Sequence, residues 1–216
     1  MTTMFIRNSR SSASLQSRFQ QQGFTIVELI IVILLLGILT STALPRFLDV
    51  TDEAHDVVVD SVFGGLNTGV MLFHAAYIAQ GEPAANTAVT AFGEGTLRTN
   101  ATGYPVSTTS DTDGAVDEVA DCVEIYNSLL QTGRPAIDSA GVTATGTGLV
   151  AANITGGTGP FQALHSAATS TTCYYAYIAQ YTTHAAAAAV SPSDTVPIII
   201  YNSTTGAVSL SNSGSF

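Results

Sequence analysis

Glu28 is the only charged residue in a stretch of 21 residues from Phe24 to Leu44. About 20 helical residues cross a hydrocarbon layer ~30 Å thick, so this stretch is long enough to span a membrane. A carboxylate inside such a span is costly unless a cation neutralises it. The pattern therefore predicts that Glu28 has a function and that it pairs with a positive group.

The segment before this stretch, residues 1–23, contains three arginines and no acidic residue. An ordinary secretory signal carries an apolar core of about 7 to 15 residues before its cleavage site, and 1–23 has none. The arginines predict a cytoplasmic N-terminus, with everything after Pro45 on the outer side of the membrane. A plain single-pass anchor with a cytoplasmic tail is the alternative, but it leaves Glu28 unexplained.

The run Gly23-Phe24-Thr25-x-x-Glu28 followed by an apolar segment resembles the signature of type IV prepilins. The resemblance implies that a membrane peptidase cuts after Gly23 and methylates the new amino terminus, Phe24. It also implies that Glu28 pairs with the terminal amine of a neighbouring subunit and sets the assembly register. Gln22 stands where the family usually has Lys or Arg.

The same resemblance implies three segments: a cleaved leader (1–23), a transmembrane and assembly helix (24–45), and an exported head (46–216). The implied fold class is α+β, with a long N-terminal helix and an antiparallel sheet head in a lollipop shape. Apolar residues at steps of 3 and 4 predict that the helix continues to about residue 80: Val59, Val62, Leu66, Val70, Phe73 and Tyr77. Gly81 and Pro83 are expected to end it.

Gly37 and Pro45 also match the family pattern. Proline cannot donate a hydrogen bond to the carbonyl four residues earlier, so a kink is expected at Pro45. The resemblance implies that the segment between Gly37 and Pro45 loses helicity in the assembled filament. The alternative is that both are tolerated residues of a membrane helix, in which Gly and Pro are common.

Two cysteines, Cys122 and Cys173, lie in the exported part. An even pair in an oxidising compartment predicts one disulfide. A metal site would need close Cys and His spacing, whereas the four histidines are scattered, and a catalytic thiol has no supporting motif. The family resemblance also implies a C-terminal disulfide.

The remaining sequence alternates loops with short elements. Residues 84–112 and 139–160 are predicted as loops, with a second helix between them. Asp113 is a candidate N-cap of this helix. Its predicted apolar face consists of Val116, Val119, Val123, Tyr126 and Leu130. Alternation around Cys173 predicts a strand, and residues 196–210 predict a hairpin with its turn at 202–206. This hairpin and Phe47–Val50 resemble the mannose-sensitive haemagglutinin (MSHA) subgroup of pilins.

Three other patterns in the sequence are candidate sites. The acidic run 111–118 could bind calcium, but helix capping and solvated charge explain the same residues. Four tyrosines in or near the predicted strand could bind a ligand: Tyr174, Tyr175, Tyr177 and Tyr181. Alternating aromatic residues on a strand more often pack in the core and against neighbouring strands. Asn100, Asn153 and Asn202 start glycan acceptor triplets. No enzyme, cofactor or metal motif is expected.

Charge and family resemblance together lead to one functional expectation. Without 1–23 the side chains carry 3 − 16 = −13 charges, which disfavours nucleic-acid binding. We expect an inner-membrane precursor that assembly machinery polymerises with its own copies into an extracellular pilus for adhesion, surface attachment and motility. The alternatives are a minor pilin or type II secretion pseudopilin, and a periplasmic binding module on an anchor.

Overall fold

The computed structural model describes residues 24–108, 115–139, 143–144, 159–166, 171–179 and 196–211. The chain divides into two compact units, Met1–Leu48 and Asp49–Phe216. The class is α+β, as the sequence predicts. The elements in chain order are α1 (Ile26–Ala79), α2 (Val119–Leu129), β1 (Ile137–Asp138), β2 (Thr143–Ala144), β3 (Phe161–Ser166), β4 (Thr172–Tyr177), β5 (Ile198–Asn202) and β6 (Ala207–Ser211).

The part of α1 in the first unit is an apolar helix with no buried side chains from Ile26 to Leu44. Its hydroxyl side chains bond back to the helix, since the Oγ1 of Thr40 donates to the carbonyl of Leu36 at 2.8 Å. Ser41 and Thr42 do the same, so their polar atoms need no water. This 19-residue stretch and a second one, Glu53–Ala79, are long and apolar enough to cross a membrane. Gly37 is helical, and the kink at Pro45 stays a prediction.

The part of α1 in the second unit presents an apolar stripe to a buried core. The predicted stripe is confirmed. Tyr77 is partly buried, and the other five residues of the stripe are buried: Val59, Val62, Leu66, Val70 and Phe73. Gly69 allows the end of α2 to approach, since a Cβ there would lie 3.1 Å from the Cβ of Leu129. The helix ends at Ala79, and Gly81 follows with φ of +88°, a conformation that favours glycine.

Within the described residues, six strands form one sheet: β1, β3, β4, β5 and β6 lie side by side in that order, and β2 also pairs with β3. Strands β3 to β6 are antiparallel, and β5 and β6 form the predicted hairpin, in which Asn202 pairs with Ala207. The two-residue strands β1 and β2 both run parallel to β3, at different positions along it. The sequence did not indicate them, because β2 lies in the Gly/Thr-rich stretch predicted as loop and β1 directly precedes it.

Strand β4 is buried on both faces. Cys173, Tyr175 and Tyr177 join the core that also contains the α1 stripe. Ala176, on the opposite face, belongs to a second apolar cluster with residues of β3 and β5. The tyrosines of β4 therefore pack, as the alternation predicts, while Tyr181 lies outside the described residues.

Helix α2 exists as predicted, but its boundaries and buried face differ. It begins at Val119 with Glu118 as its N-cap residue, and the carboxylate of Asp121 accepts the backbone N–H groups of Asp117 and Glu118 at 3.1 Å each. Asp113, the predicted cap, lies outside the described residues. Of the predicted apolar face, Val116 and Tyr126 are buried, whereas Val119, Val123 and Leu130 are only partly buried. The buried apolar residues of the helix itself are Cys122, Ile125, Tyr126 and Leu129, so its buried face is displaced from the predicted one. The displacement brings Cys122 to the β4 cysteine.

Candidate functional site

The first turn of α1 contains a reciprocal pair of hydrogen-bonding residues, Thr25 and Glu28. The carboxylate Oε2 of Glu28 accepts the backbone N–H of Thr25 at 2.9 Å and its hydroxyl at 2.9 Å. In return, the hydroxyl oxygen of Thr25 accepts the backbone N–H of Glu28 at 3.3 Å. Because α1 begins at Ile26, Thr25 is the N-cap and Glu28 the third helical residue, so the pair is a capping box.

The capping box matters because the first N–H groups of a helix have no partner within the helix. An unpaired N–H costs free energy in an apolar environment, and here Thr25 and Glu28 satisfy each other's. The negative carboxylate also lies at the positive end of the helix dipole. Sequence reasoning missed this role of Glu28, although Thr-x-x-Glu directly before an apolar run is the sequence pattern of a capping box.

Glu28 keeps a second carboxylate oxygen for another partner. Its Oε1 atom accepts no hydrogen bond among the described residues, and no cation there forms an ion pair with it. Phe24, the residue next to the predicted cleavage point, is 90% exposed. Gly23 and the rest of 1–23 lie outside the described residues. The start of α1 thus presents a carboxylate on an otherwise apolar surface.

Cys122 and Cys173 form a disulfide between α2 and β4, and both residues are buried. The hydroxyl of Tyr175 adds a second link, because it donates to the carbonyl of Cys122 at 3.0 Å. Burial raises the pKa of Tyr175 well above its ordinary value. The predicted disulfide is confirmed, and the alternatives of a metal-binding or catalytic thiol are set aside.

The described histidines are engaged separately. His55 shares a hydrogen bond with the hydroxyl of Tyr177 at 2.6 Å, while His74 and His165 bond the backbone carbonyls of Gly103 and Val116. No group of three or more His, Cys, Asp or Glu within the described ranges could hold a metal ion. Two acidic residues of the calcium alternative, Asp111 and Asp113, lie outside those ranges.

The glycan acceptor residues Asn100 and Asn202 both have structural roles. The side-chain oxygen of Asn100 accepts the N–H of Thr102 at 3.0 Å and that of Tyr104 at 2.9 Å. The side-chain oxygen of Asn202 accepts the N–H of Thr204 at 2.9 Å inside the hairpin turn. Asn153 lies outside the described residues.

Comparison with known proteins identifies the same N-terminal region. Residues 18–44 match the family model of the prokaryotic N-terminal methylation motif. The chain is also 40% identical over 62 residues to the type IV narrow pilus major component PilA5 of Thermus thermophilus. The aligned part is 29% of this chain, and the chain spans about half (52%) of that relative. No solved structure matches.

Neither comparison supports the MSHA subgroup, which stays a prediction. The family model concerns the methylation motif, and the relative is a component of a type IV pilus. The residues matched by the family model include Thr25, Glu28 and the whole apolar stretch to Leu44. The chain therefore carries the prokaryotic N-terminal methylation motif in residues 18–44.

Proposed function

We propose that this protein is a structural subunit of a type IV pilus that serves adhesion, surface attachment and motility. One observation carries the proposal: α1 exposes a largely apolar surface from Ile26 to Leu44, in which Glu28 is the only charged residue and the hydroxyls of Thr40, Ser41 and Thr42 bond back to the helix. A surface of this kind needs lipid before assembly and other subunits afterwards. The methylation motif and the similarity to a type IV pilus component support this reading.

Processing at the Gly23–Phe24 bond is the first step of the proposed function. A prepilin peptidase removes 1–23 and methylates Phe24, and the retained helix 24–45 holds the subunit in the inner membrane until assembly. The part from 46 to 216 then lies outside the membrane. Mass spectrometry of assembled protein tests this step, with N-methylated Phe24 as the expected terminus. Gly23→Val should trap the precursor, and an intact leader on assembled protein would contradict the proposal.

Pairing between Glu28 and the amine of Phe24 on an adjacent subunit is the second step. Removing one partner of a buried ion pair leaves the other charge unpaired, which typically costs ~3–5 kcal/mol. In the membrane-held subunit Glu28 lies at the first turn of α1, close to the water boundary, so the cost falls on assembly and not on insertion. The apolar surface of α1 supplies the packing, and the ion pair selects the register.

Two substitutions separate the charge of Glu28 from its capping role. Glu28→Gln keeps a side-chain oxygen for the capping box but removes the charge, while Glu28→Val removes both. If pairing controls assembly, both variants give cleaved subunits that stay in the membrane, with few or no filaments. Immunoblots of membrane and sheared surface fractions measure this.

The matched control is Glu53→Gln, which removes an exposed acid from the same helix. It should leave the filament yield unchanged. Wild-type yield from Glu28→Gln would refute the pairing mechanism, because this variant has no charge to pair; a defect confined to Glu28→Val would indicate the capping role instead. The abundance of the protein in sheared filaments separates a major subunit, which dominates them, from a minor pilin or pseudopilin, which does not.

A further inference from the structure

A surface groove of about 460 Å³ lies in the second unit between the loop 92–97 and the C-terminal end of α2. Its volume is within the ~300–1,000 Å³ of typical ligand sites. Phe92, Leu97 and Asn127 are at least partly buried in it, and Glu94, Gln131 and Arg134 are exposed around it. The groove thus combines apolar and polar groups within a small space.

The polar side of the groove is held in place by hydrogen bonds. The Nε atom of Arg134 donates to the side-chain oxygen of Asn127 at 2.8 Å, and its Nη1 atom donates to the carbonyls of Leu130 and Gln131 at 3.1 and 3.2 Å. These bonds fix the guanidinium against the end of α2. They also orient the amide of Asn127, whose oxygen is occupied and whose nitrogen has no hydrogen-bond acceptor within the part of the chain that the structure describes.

The opposite side is shaped by the loop that carries Glu94. Gly95 has a φ of +72°, and a Cβ there would lie 3.2 Å from the backbone of Thr90, so the turn requires glycine. Phe92 packs edge-on against Phe73 with 5.4 Å between ring centroids. The loop conformation is thus defined before any ligand binds, which lowers the entropic cost of binding.

The two charged residues of the groove have opposite signs, and neither forms an ion pair with the residues that the structure describes. Glu94 can only accept hydrogen bonds, whereas the free nitrogens of Arg134 and Asn127 can only donate. A hydroxyl group does both, so a ligand with several neighbouring hydroxyls can satisfy acceptor and donors together. An anion would meet the carboxylate of Glu94 and a chain with a net charge of −10.

We propose that this groove binds a neutral saccharide. The sugar hydroxyls bond Glu94, Asn127, Gln131 and Arg134, and a C–H face of the ring rests on Phe92. This site goes beyond the proposed filament function and does not depend on it. It would give the exposed surface of the subunit a defined class of ligand.

Saturation-transfer NMR on the full chain tests the proposal, with D-glucose, D-galactose and N-acetyl-D-glucosamine as probes and D-glucuronate as the anionic comparison. The protein is kept in a detergent without a sugar headgroup, because such a headgroup would compete. We expect transfer to at least one neutral sugar. Replacing two hydrogen-bonding partners, Glu94→Ala with Gln131→Ala, should weaken binding about tenfold or more.

The matched control is Asp60→Ala, which removes an exposed acid of α1 outside the groove and should leave binding unchanged. No transfer to any neutral sugar, transfer to D-glucuronate alone, or unchanged binding by the double variant would overturn the proposal. The double variant should form filaments at wild-type yield. Failure of sugar binding is therefore distinguishable from failure of the filament function.

Discussion

The disulfide between Cys122 and Cys173 should supply a large part of the stability of the second unit. It joins the first turn of α2 to β4, two elements that are also linked by the hydrogen bond from Tyr175 to the carbonyl of Cys122 and by the contact between the rings of Tyr126 and Tyr175. The perturbation is the double variant Cys122→Ala with Cys173→Ala. It avoids the buried unpaired hydroxyl that a serine would introduce.

The magnitude follows from the separation of the two cysteines, which is 51 residues. In the chain-entropy model, a cross-link that closes a loop of this size removes unfolded-state entropy equivalent to about 4 kcal/mol at 25 °C. Both cysteines are fully buried, so lost packing adds to this cost in the double variant. With a urea slope of about 2 kcal/mol/M, the unfolding midpoint should fall by about 2 M.

Urea titration of the full chain in detergent measures the shift, followed by tyrosine emission because the chain has eight tyrosines and no tryptophan. Wild-type protein with its disulfide reduced is the control, since it keeps both sulfur atoms and isolates the cross-link from the packing. Both samples should unfold at lower urea than oxidised wild type. A midpoint shift below about 0.5 M for reduced protein would refute the reasoning, because it corresponds to only about 1 kcal/mol.

Two further predictions concern the same unit. Gly206→Ala should lower the free energy of unfolding by about 1–3 kcal/mol, measured by thermal unfolding, because the φ of Gly206 is +69° and a Cβ there would collide with the ring of Tyr104. Gly81→Ala is the control: Gly81 also has a positive φ but has open space around it, so its substitution should destabilise the unit less. Burial raises the pKa of Tyr175 and of Tyr201 well above the ordinary value. Their neutral form is favoured in the folded state, so stability should hold below about pH 10 and fall at higher pH, measured by urea unfolding across that range. Unchanged stability of Gly206→Ala, or a flat profile above pH 10, would contradict these expectations.

The elements that follow a simple period could be predicted from the sequence. The stripe from Val59 to Phe73 has helical spacing, and the alternation around Tyr175 has strand spacing, so each indicates its element and its buried side. The disulfide follows from an even pair of cysteines. Each of these inferences depends only on residues that are close in the sequence or on the number of cysteines.

The parts that depend on distant residues could not be predicted. His74 stacks on Tyr104 with 4.6 Å between ring centroids, and Gly103 is required beside it, yet nothing in the local sequence joins these residues. The parallel pairing of β1 and β2 with β3 likewise depends on residues more than 20 positions away. The groove needs the 92–97 loop to meet the end of α2, a contact that no sequence period records.

The capping role of Glu28 and the pairing role proposed for it do not compete, because the capping box occupies only one of the two carboxylate oxygens. Oε2 is occupied by the N–H and hydroxyl of Thr25, which holds the carboxylate beside the helix start, and Oε1 accepts no bond among the described residues. A carboxylate that is already oriented loses less side-chain entropy when a neighbouring amine binds it. The capping box would thus prepare Glu28 for pairing in the proposed filament. The Gln and Val variants are informative for this reason, because only Gln keeps the oxygen that Thr25 binds.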